Sequence, residues 1–129
     1  MAKVTQLCVG LDNKPGALAK LCGRLIRAKV NILAVSVVDS TDCCWVRFVA
    51  SPTAAAKAAL KKAGYEVCTQ RVLRLTVPHK PGVLEGVASK LAKKGVNINY
   101  VYGSNAKGPE STLVVSVDDL EKGAKAVGG

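Results

Sequence analysis

Apolar and polar residues alternate in two short runs, each of which leads into a Lys-Pro-Gly sequence. The first run has Leu7, Val9 and Leu11 on one side, and the second has Leu73, Leu75 and Val77. An alternation with a period of two predicts a strand with one face in a core. We therefore expect a half-buried strand before each Lys-Pro-Gly.

An amphipathic helix is predicted after each of these strands, because apolar residues recur there at intervals of three and four, the spacing of one helical face. These residues are Leu18, Leu21, Cys22, Leu25 and Ile26 in the first segment and Leu84, Val87, Ala88, Leu91 and Ala92 in the second. Pro15 and Pro81 suit the first helical turn, where a missing amide hydrogen costs nothing.

The two segments are copies of one repeat, since Pro15 corresponds to Pro81 at an offset of 66 residues. At the same offset, Val30-Asn31-Ile32 corresponds to Val96-Asn97-Ile98. Internal self-similarity of this kind indicates two structural units built on one plan.

Each unit continues with two strand-like runs and a second helix. In the first unit the helix is expected to begin with Ser51 as its cap and to stop at Gly64. The stretch 65–77 has no turn signal and predicts a strand that closes the first unit and opens the second. The order βαββαβ defines an α+β, ferredoxin-like unit with an antiparallel sheet and helices on one face. We place the units at residues 1–69 and 70–129. The second has no obvious last strand, so it either closes alone or borrows a strand from the other unit or from another subunit.

Composition narrows the class of protein. The chain has 129 residues, of which 49% are apolar, enough for two small cores. No stretch approaches the roughly 18 apolar residues of a membrane span, and residues 1–6 lack a hydrophobic signal region. We expect a soluble, cytoplasmic protein with no membrane partner. The formal charge is +10, but many basic residues fall at polar helix positions, which favours a solvated face over a nucleic-acid site.

Candidate chemistry is sparse. The five cysteines include the adjacent pair Cys43 and Cys44, lack a CxxC spacing, and fit reduced thiols better than disulfides or a metal site. His79 is the only histidine, and the sequence shows no partner that would make it a catalytic base. We therefore predict no metal, no cofactor and no enzymatic activity.

The loops before the helices are the candidate ligand sites. Gly16 and Gly82 let another backbone or a ligand approach, and the amides that follow them precede the helical hydrogen bonds, so they suit a carboxylate. Asn31 and Asn97 offer a donor and an acceptor, which suits an amino acid. The alternative is that Pro-Gly only makes a turn and the asparagines only start a strand.

These motifs resemble those of the ACT domain family. The resemblance rests on Asn13-Lys14-Pro15-Gly16 with Val30-Asn31-Ile32, and on His79-Lys80-Pro81-Gly82 with Val96-Asn97-Ile98. It covers residues 3 to about 127 as two units, and it is nearest to small tandem proteins without a catalytic domain. The family implies a regulatory protein that binds a free amino acid at an interface between subunits or domains.

The resemblance also implies which residues hold that ligand. Asn13 and Asn31 match the two ligand-holding asparagines of serine-sensing relatives, and His79 and Asn97 stand at those positions in the second unit. Backbone groups after each Pro are implied to take the carboxylate: Gly16, Ala17 and Leu18 in the first unit, and Gly82, Val83 and Leu84 in the second. The two sites are therefore not equivalent.

Two other functions stay open at this point. An RNA-binding module with an RRM-like sheet would use strand aromatics such as Trp45, Phe48, Tyr100 and Tyr102, but no RNP-like run accompanies them. A dimerisation module without a ligand would use the same fold. Exposed sheet edges favour a homodimer under either the sensor or the dimerisation interpretation, and a sensor would in addition have a regulated enzyme as a partner.

Overall fold

The computed structural model describes residues 1–39, 43–105 and 109–128. Within these ranges the chain forms six strands and four helices. The strands are β1 (Ala2–Asp12), β2 (Asn31–Asp39), β3 (Cys43–Ser51), β4 (Val67–Pro78), β5 (Ile98–Asn105) and β6 (Glu110–Val117). The helices are α1 (Ala17–Arg27), α2 (Thr53–Lys62), α3 (Val83–Lys93) and α4 (Leu120–Gly128). No helix in these ranges has both the length and the apolar composition needed to cross a membrane.

The chain divides into two compact units, and the division runs through strands. The first unit is Thr5–Gln70, and the second unit combines Met1–Val4 with Arg71–Gly129. Each unit has the βαββαβ set of elements, as predicted from the repeat. The fold class is therefore α+β with antiparallel, ferredoxin-like sheets.

The first unit orders its strands β2-β3-β1-β4. Leu7 lies opposite Phe48 and Val9 lies opposite Val46 across the antiparallel β1–β3 pair. These side chains point to one face, where they form a buried core with Leu21 and Leu25 of α1 and with Ala56 and Leu60 of α2. The alternation in β1 thus places one face against both helices, as the period of two predicts.

The second unit orders its strands β1-β4-β6-β5, so its outer strand comes from the start of the chain. Arg71 Nη2 donates to the backbone oxygen of Lys3 at 3.4 Å, and Lys3 Nζ forms an ion pair with Glu121 of α4 at 2.8 Å. The core beneath α3 and α4 contains Leu73, Leu91 and Val115. Residues Met1–Val4 thus take the position in this sheet that β4, the strand after α2, takes in the first unit.

The helical stripes were predicted too wide. Leu21, Leu25 and Leu91 are buried, but Leu18 is 42% exposed, Ile26 73% and Leu84 50%. Each unit's sheet covers only part of the helix face, so the ends of the stripe reach solvent. The predicted cap at Ser51 is also wrong, because Ser51 is the last residue of β3 and α2 begins at Thr53.

The helix ends show one backbone pattern in both repeats. The amide of Val30 donates to Leu25 O and that of Lys29 to Ile26 O, each at 3.0 Å. The amides of Val96 and Gly95 make the corresponding bonds in the second unit. This is a Schellman motif, which needs a left-handed residue after the helix. Gly95 has φ 69°, whereas Lys29 takes φ 58° as a non-glycine residue.

We predict that Lys29→Gly stabilises the protein by about 1 kcal/mol, because a left-handed L-residue costs roughly 1–2 kcal/mol and glycine avoids that cost. The reciprocal change Gly95→Lys should destabilise by a similar amount. Urea unfolding of both variants measures this, and equal stabilities for Lys29→Gly and the parent would contradict it.

Candidate functional site

The joint between the first strand and first helix of each unit is built in the same way. Gly16 and Gly82 precede the helices with φ of 88° and 89°, a left-handed conformation that favours glycine. No atom lies within 4 Å of a Cβ placed on either glycine, so conformation rather than crowding requires them. Pro15 and Pro81 lie before this glycine and not in the first helical turn.

The first regular helical bonds run from Lys20 N to Gly16 O and from Gly86 N to Gly82 O, both at 3.0 Å. The amides between these donors and the glycines precede the helical hydrogen bonds, although the Ala17 amide donates to Lys14 O at 3.4 Å. This is the arrangement that suits a carboxylate.

A cleft of about 320 Å³ opens beside this joint in the second unit. It lies between the loop after β4, the first turn of α3, the end of β5 and the start of β6. Its apolar lining includes Val77, Val83, Leu84 and Leu113, and its polar lining includes His79, Ser104 and Ser111. Three predicted site residues, His79, Val83 and Leu84, therefore line this cavity, which we call the His79 cleft.

His79 is held by two contacts in this cleft. Its amide donates to the backbone oxygen of Pro109 at 2.7 Å, and its Nδ1 lies 3.2 Å from Ser111 Oγ. These contacts fix the loop against the start of β6 and leave the imidazole at the surface. His79 thus has a defined orientation toward the cavity edge.

The cleft depends on a residue that the sequence analysis did not single out. Gly103 on β5 lies opposite Leu113 on β6, and a Cβ on Gly103 would come within 3.2 Å of Leu113 Cδ2. In the first unit, Val37 lies opposite Val46 at the corresponding place. The repeat alignment could have indicated this position, since Gly103 and Ser104 stand where the first unit has Val37 and Val38 at the offset of 66.

The first unit has a different cleft beside its joint, of about 430 Å³, which reaches from the start of α1 to the end of α2. Its lining includes the predicted Ala17 together with Lys14, Lys20 and Arg24. Lys14 Nζ lies 3.7 Å from Asp12 Oδ2. Of the other predicted residues around the two joints, Asn13, Gly16, Leu18 and Gly82 are exposed.

Asn31 and Asn97 lie at the opposite end of their own unit from the joint. Asn31 is opposite Ser51 on β3, whereas Asp12 is opposite Cys43, eight positions away. Eight strand residues span roughly 27 Å. In the second unit, Ile98 is opposite Val117 and Pro78 opposite Glu110, seven positions apart or roughly 23 Å. Neither unit brings its asparagine to its own Pro-Gly loop.

Asn97 also has a structural role. Its amide donates to Asp118 Oδ1 at 3.0 Å, and its carbonyl accepts from the Asp118 amide at 3.1 Å. Its side-chain Nδ2 donates to Asn99 Oδ1 at 3.3 Å. The backbone bonds tie the start of β5 to the end of β6, and they do not need the asparagine side chain.

The described cysteines are free thiols of differing exposure. Cys44 is buried, Cys8 and Cys22 are half-buried and Cys68 is exposed, while the side chain of Cys43 lies outside the described residues. Burial raises the pKa of Cys8, and this effect outweighs the nearby Arg47 guanidinium, which lowers it. No group of three or more His, Cys, Asp or Glu residues in the described ranges could hold a metal ion.

We predict that iodoacetamide at pH 8 modifies Cys68 before Cys8, because alkylation needs an accessible thiolate and the raised pKa of Cys8 reduces its thiolate fraction. Peptide mass spectrometry over time gives the order. Faster modification of Cys8 would contradict the prediction.

The chain matches the family described as ACT domain pair over residues 2–127. It therefore belongs to that family. This confirms the resemblance seen in the two Pro-Gly motifs and the ferredoxin-like fold class.

Several solved structures share this fold. A protein from Bacteroides thetaiotaomicron is 25% identical with a TM-score of 0.90, over 98% of this chain and 87% of that chain. The ligand-free regulatory subunit of aspartate kinase from Thermus thermophilus is 16% identical with a TM-score of 0.73, over 96% and 90%. Aspartokinase III from E. coli, in complex with lysine and aspartate, is 12% identical with a TM-score of 0.58, over 98% and 30%. Comparison with curated proteins gives no match.

Proposed function

We propose that this protein is a non-enzymatic, cytoplasmic regulatory protein that binds a free amino acid. The observation that carries the proposal is the His79 cleft, which joins a helix start to a small polar and apolar cavity. The amides at the start of α3 suit the carboxylate of the ligand. His79, Ser104 and Ser111 supply polar groups for the rest of it.

Membership of the ACT domain pair family supports this proposal. One structure with the same fold is a regulatory subunit, and another was solved with lysine and aspartate. We extend the regulatory role and the amino-acid ligand to this chain by analogy with the fold. The cavity of about 320 Å³ is large enough for one amino acid.

We do not assign a catalytic role to His79. Its Nδ1 neighbour is a serine hydroxyl at the cavity edge, and among the described residues that line the cleft there is no carboxylate to orient the ring. General acid–base chemistry needs such a positioned group. His79 is therefore proposed as a ligand contact.

We favour an amino acid over RNA because of the aromatic residues. Phe48 is buried, and the rings of Tyr100 and Tyr102 stack on each other with centroids 6.4 Å apart. Trp45 is 42% exposed, but its indole ring lies against Gly10, whose Cβ position is 3.3 Å away. Base stacking needs open aromatic faces on the central strands.

We further propose that the protein works as a homodimer and acts on a regulated enzyme. Asn31 and Asn97 lie far from the Pro-Gly loop of their own unit, so a ligand held by both a loop and an asparagine must lie at an interface. A second copy supplies such an interface through a closed, two-fold arrangement.

The test of the ligand is a thermal melt with each common amino acid at millimolar concentration. A ligand that binds only the folded form raises the free energy of unfolding, by roughly 2.7 kcal/mol at a ligand concentration of 100 times its Kd. The melting temperature rises as a result. We expect at least one amino acid to do so. No response to any of them would contradict the proposed function.

Two variants test the cleft. We expect Gly103→Val to abolish the rise in melting temperature caused by the amino acid, because its side chain and a displaced Leu113 fill the cavity. His79→Ala should weaken amino-acid binding about tenfold through a lost polar contact. Gly86→Ala is the matched control, since no atom lies within 4 Å of a Cβ at that helical position. A full response in Gly103→Val would exclude this cavity as the site.

Two further variants test the interface. We expect Asn31→Ala or Asn97→Ala to reduce the response without lowering the melting temperature of the ligand-free protein, because both side chains are exposed. Light scattering should show a dimer in each case. An unchanged response in both variants would confine the ligand to the His79 cleft and would contradict a role for the asparagines.

A further inference from the structure

The two helices of the first unit carry charge of one sign. Together α1 and α2 contain six basic residues and no acidic one. The basic residues are Lys20, Arg24, Arg27, Lys57, Lys61 and Lys62. The corresponding helices of the second unit, α3 and α4, include the acidic residues Glu85 and Glu121 among their basic ones. The same fold thus accepts mixed charge, and the bias in α1 and α2 is not needed for folding.

Four of these basic residues border a groove between the two helices, namely Lys20, Arg24, Arg27 and Lys62. The cleft beside Lys14 and Lys20 lies next to a second cavity of about 490 Å³, and Arg24 and Ala63 line both. The second cavity is also lined by Arg27, Ala28, Ala59 and Lys62. We call the two cavities the α1–α2 groove. Its lining combines small apolar side chains with guanidinium and ammonium groups.

The basic groups on α1 and α2 form no ion pair with an acidic residue within the described part of the chain. The ion pairs there join Lys3 to Glu121 and Lys14 to Asp12, and neither involves a residue of α1 or α2. Asp12 and Glu66 are the acidic residues that line the groove, both near its end at the joint. The half around Arg24, Arg27 and Lys62 therefore presents uncompensated positive charge.

We propose that the α1–α2 groove docks an acidic amphipathic helix of a partner protein. Glutamate or aspartate side chains of that helix pair with Arg24, Arg27 and Lys62, and its small apolar side chains pack on Ala59 and Ala63. Guanidinium groups suit carboxylates because they bind them in a bidentate manner. This surface goes beyond the amino-acid site and stands without it.

The lining of the groove favours a protein helix over nucleic acid. Tyr65 is the aromatic residue that lines it, so the groove offers no platform for successive bases. Its alanines leave a shallow apolar floor, which fits the side chains of a helix better than sugar and phosphate. The charge then steers the partner and sets its orientation.

The experiment uses the full chain and a synthetic helical peptide of glutamate, alanine and leucine with one acidic face. Fluorescence anisotropy gives its Kd at two salt concentrations, and amide chemical-shift changes locate the binding surface. A peptide with every glutamate replaced by glutamine is the ligand control. An RNA oligonucleotide of equal net charge tests the nucleic-acid alternative.

A triple variant, Arg24→Gln, Arg27→Gln and Lys62→Gln, should raise the Kd of the acidic peptide about tenfold. The matched control, Lys90→Gln, Lys93→Gln and Lys94→Gln, removes the same charge from the second unit and should change the Kd by less than about twofold. Circular dichroism melts verify that both variants fold. The response to amino acids is measured in parallel, so that a failure of the groove is distinguished from a failure of the ligand site.

Shifts confined to α1 and α2, with a selective loss in the first triple variant, support the proposal. Equal losses in both triple variants would show attraction by net charge alone and would overturn it. Equal binding of the glutamine peptide, tighter binding of the RNA, or no binding of the acidic peptide would also overturn it.

Discussion

The left-handed turn that joins each unit's first strand to its first helix is the constraint on which the candidate site depends. The left-handed conformation of Gly16 and Gly82 turns the chain into the helix, and the amides of the first helical turn lie ahead of the helical hydrogen bonds. A residue with a Cβ would strain this turn by roughly 1–2 kcal/mol. The loop residues His79 and Lys80 take their positions from that turn, and so does the cleft they border.

The sequence predicted the parts of the fold that depend on local periodicity. Alternation in Leu7, Val9 and Leu11 identified β1, and the repeat identified two equivalent units. The limits of the helical stripes were not predictable, because the exposure of Ile26 depends on how far a sheet extends beneath the helix. A borrowed strand was one of the alternatives for the second unit, but its identity as Met1–Val4 was not predictable, since hydrogen bonding between distant strands leaves no local pattern.

The sequence predicted those residues of the candidate site that belong to the Pro-Gly motif, and it did not predict those that come from other strands. His79, Val83 and Leu84 follow from the Pro-Gly loop, and the structure places them around one cavity. Gly103 and Ser111 belong to strands that approach the loop only after folding. A glycine in a strand is an ambiguous sign, and its meaning becomes clear only from the neighbour Leu113 that it leaves room for. The separation of the asparagines from the loops likewise follows from strand register, which pattern alone does not give.

The ion pair between Lys3 and Glu121 spans 118 residues of sequence. In the chain, Met1–Val4 precedes the first unit, whereas its helix and strand partners in the second unit follow it. The first unit needs only residues up to Gln70 and is free to fold while the rest is still being made. Closure of the second sheet is a late, non-local event, because contacts at long sequence separation require a large loss of chain entropy before they form. The second sheet therefore closes only after the chain on both sides of the first unit has been made.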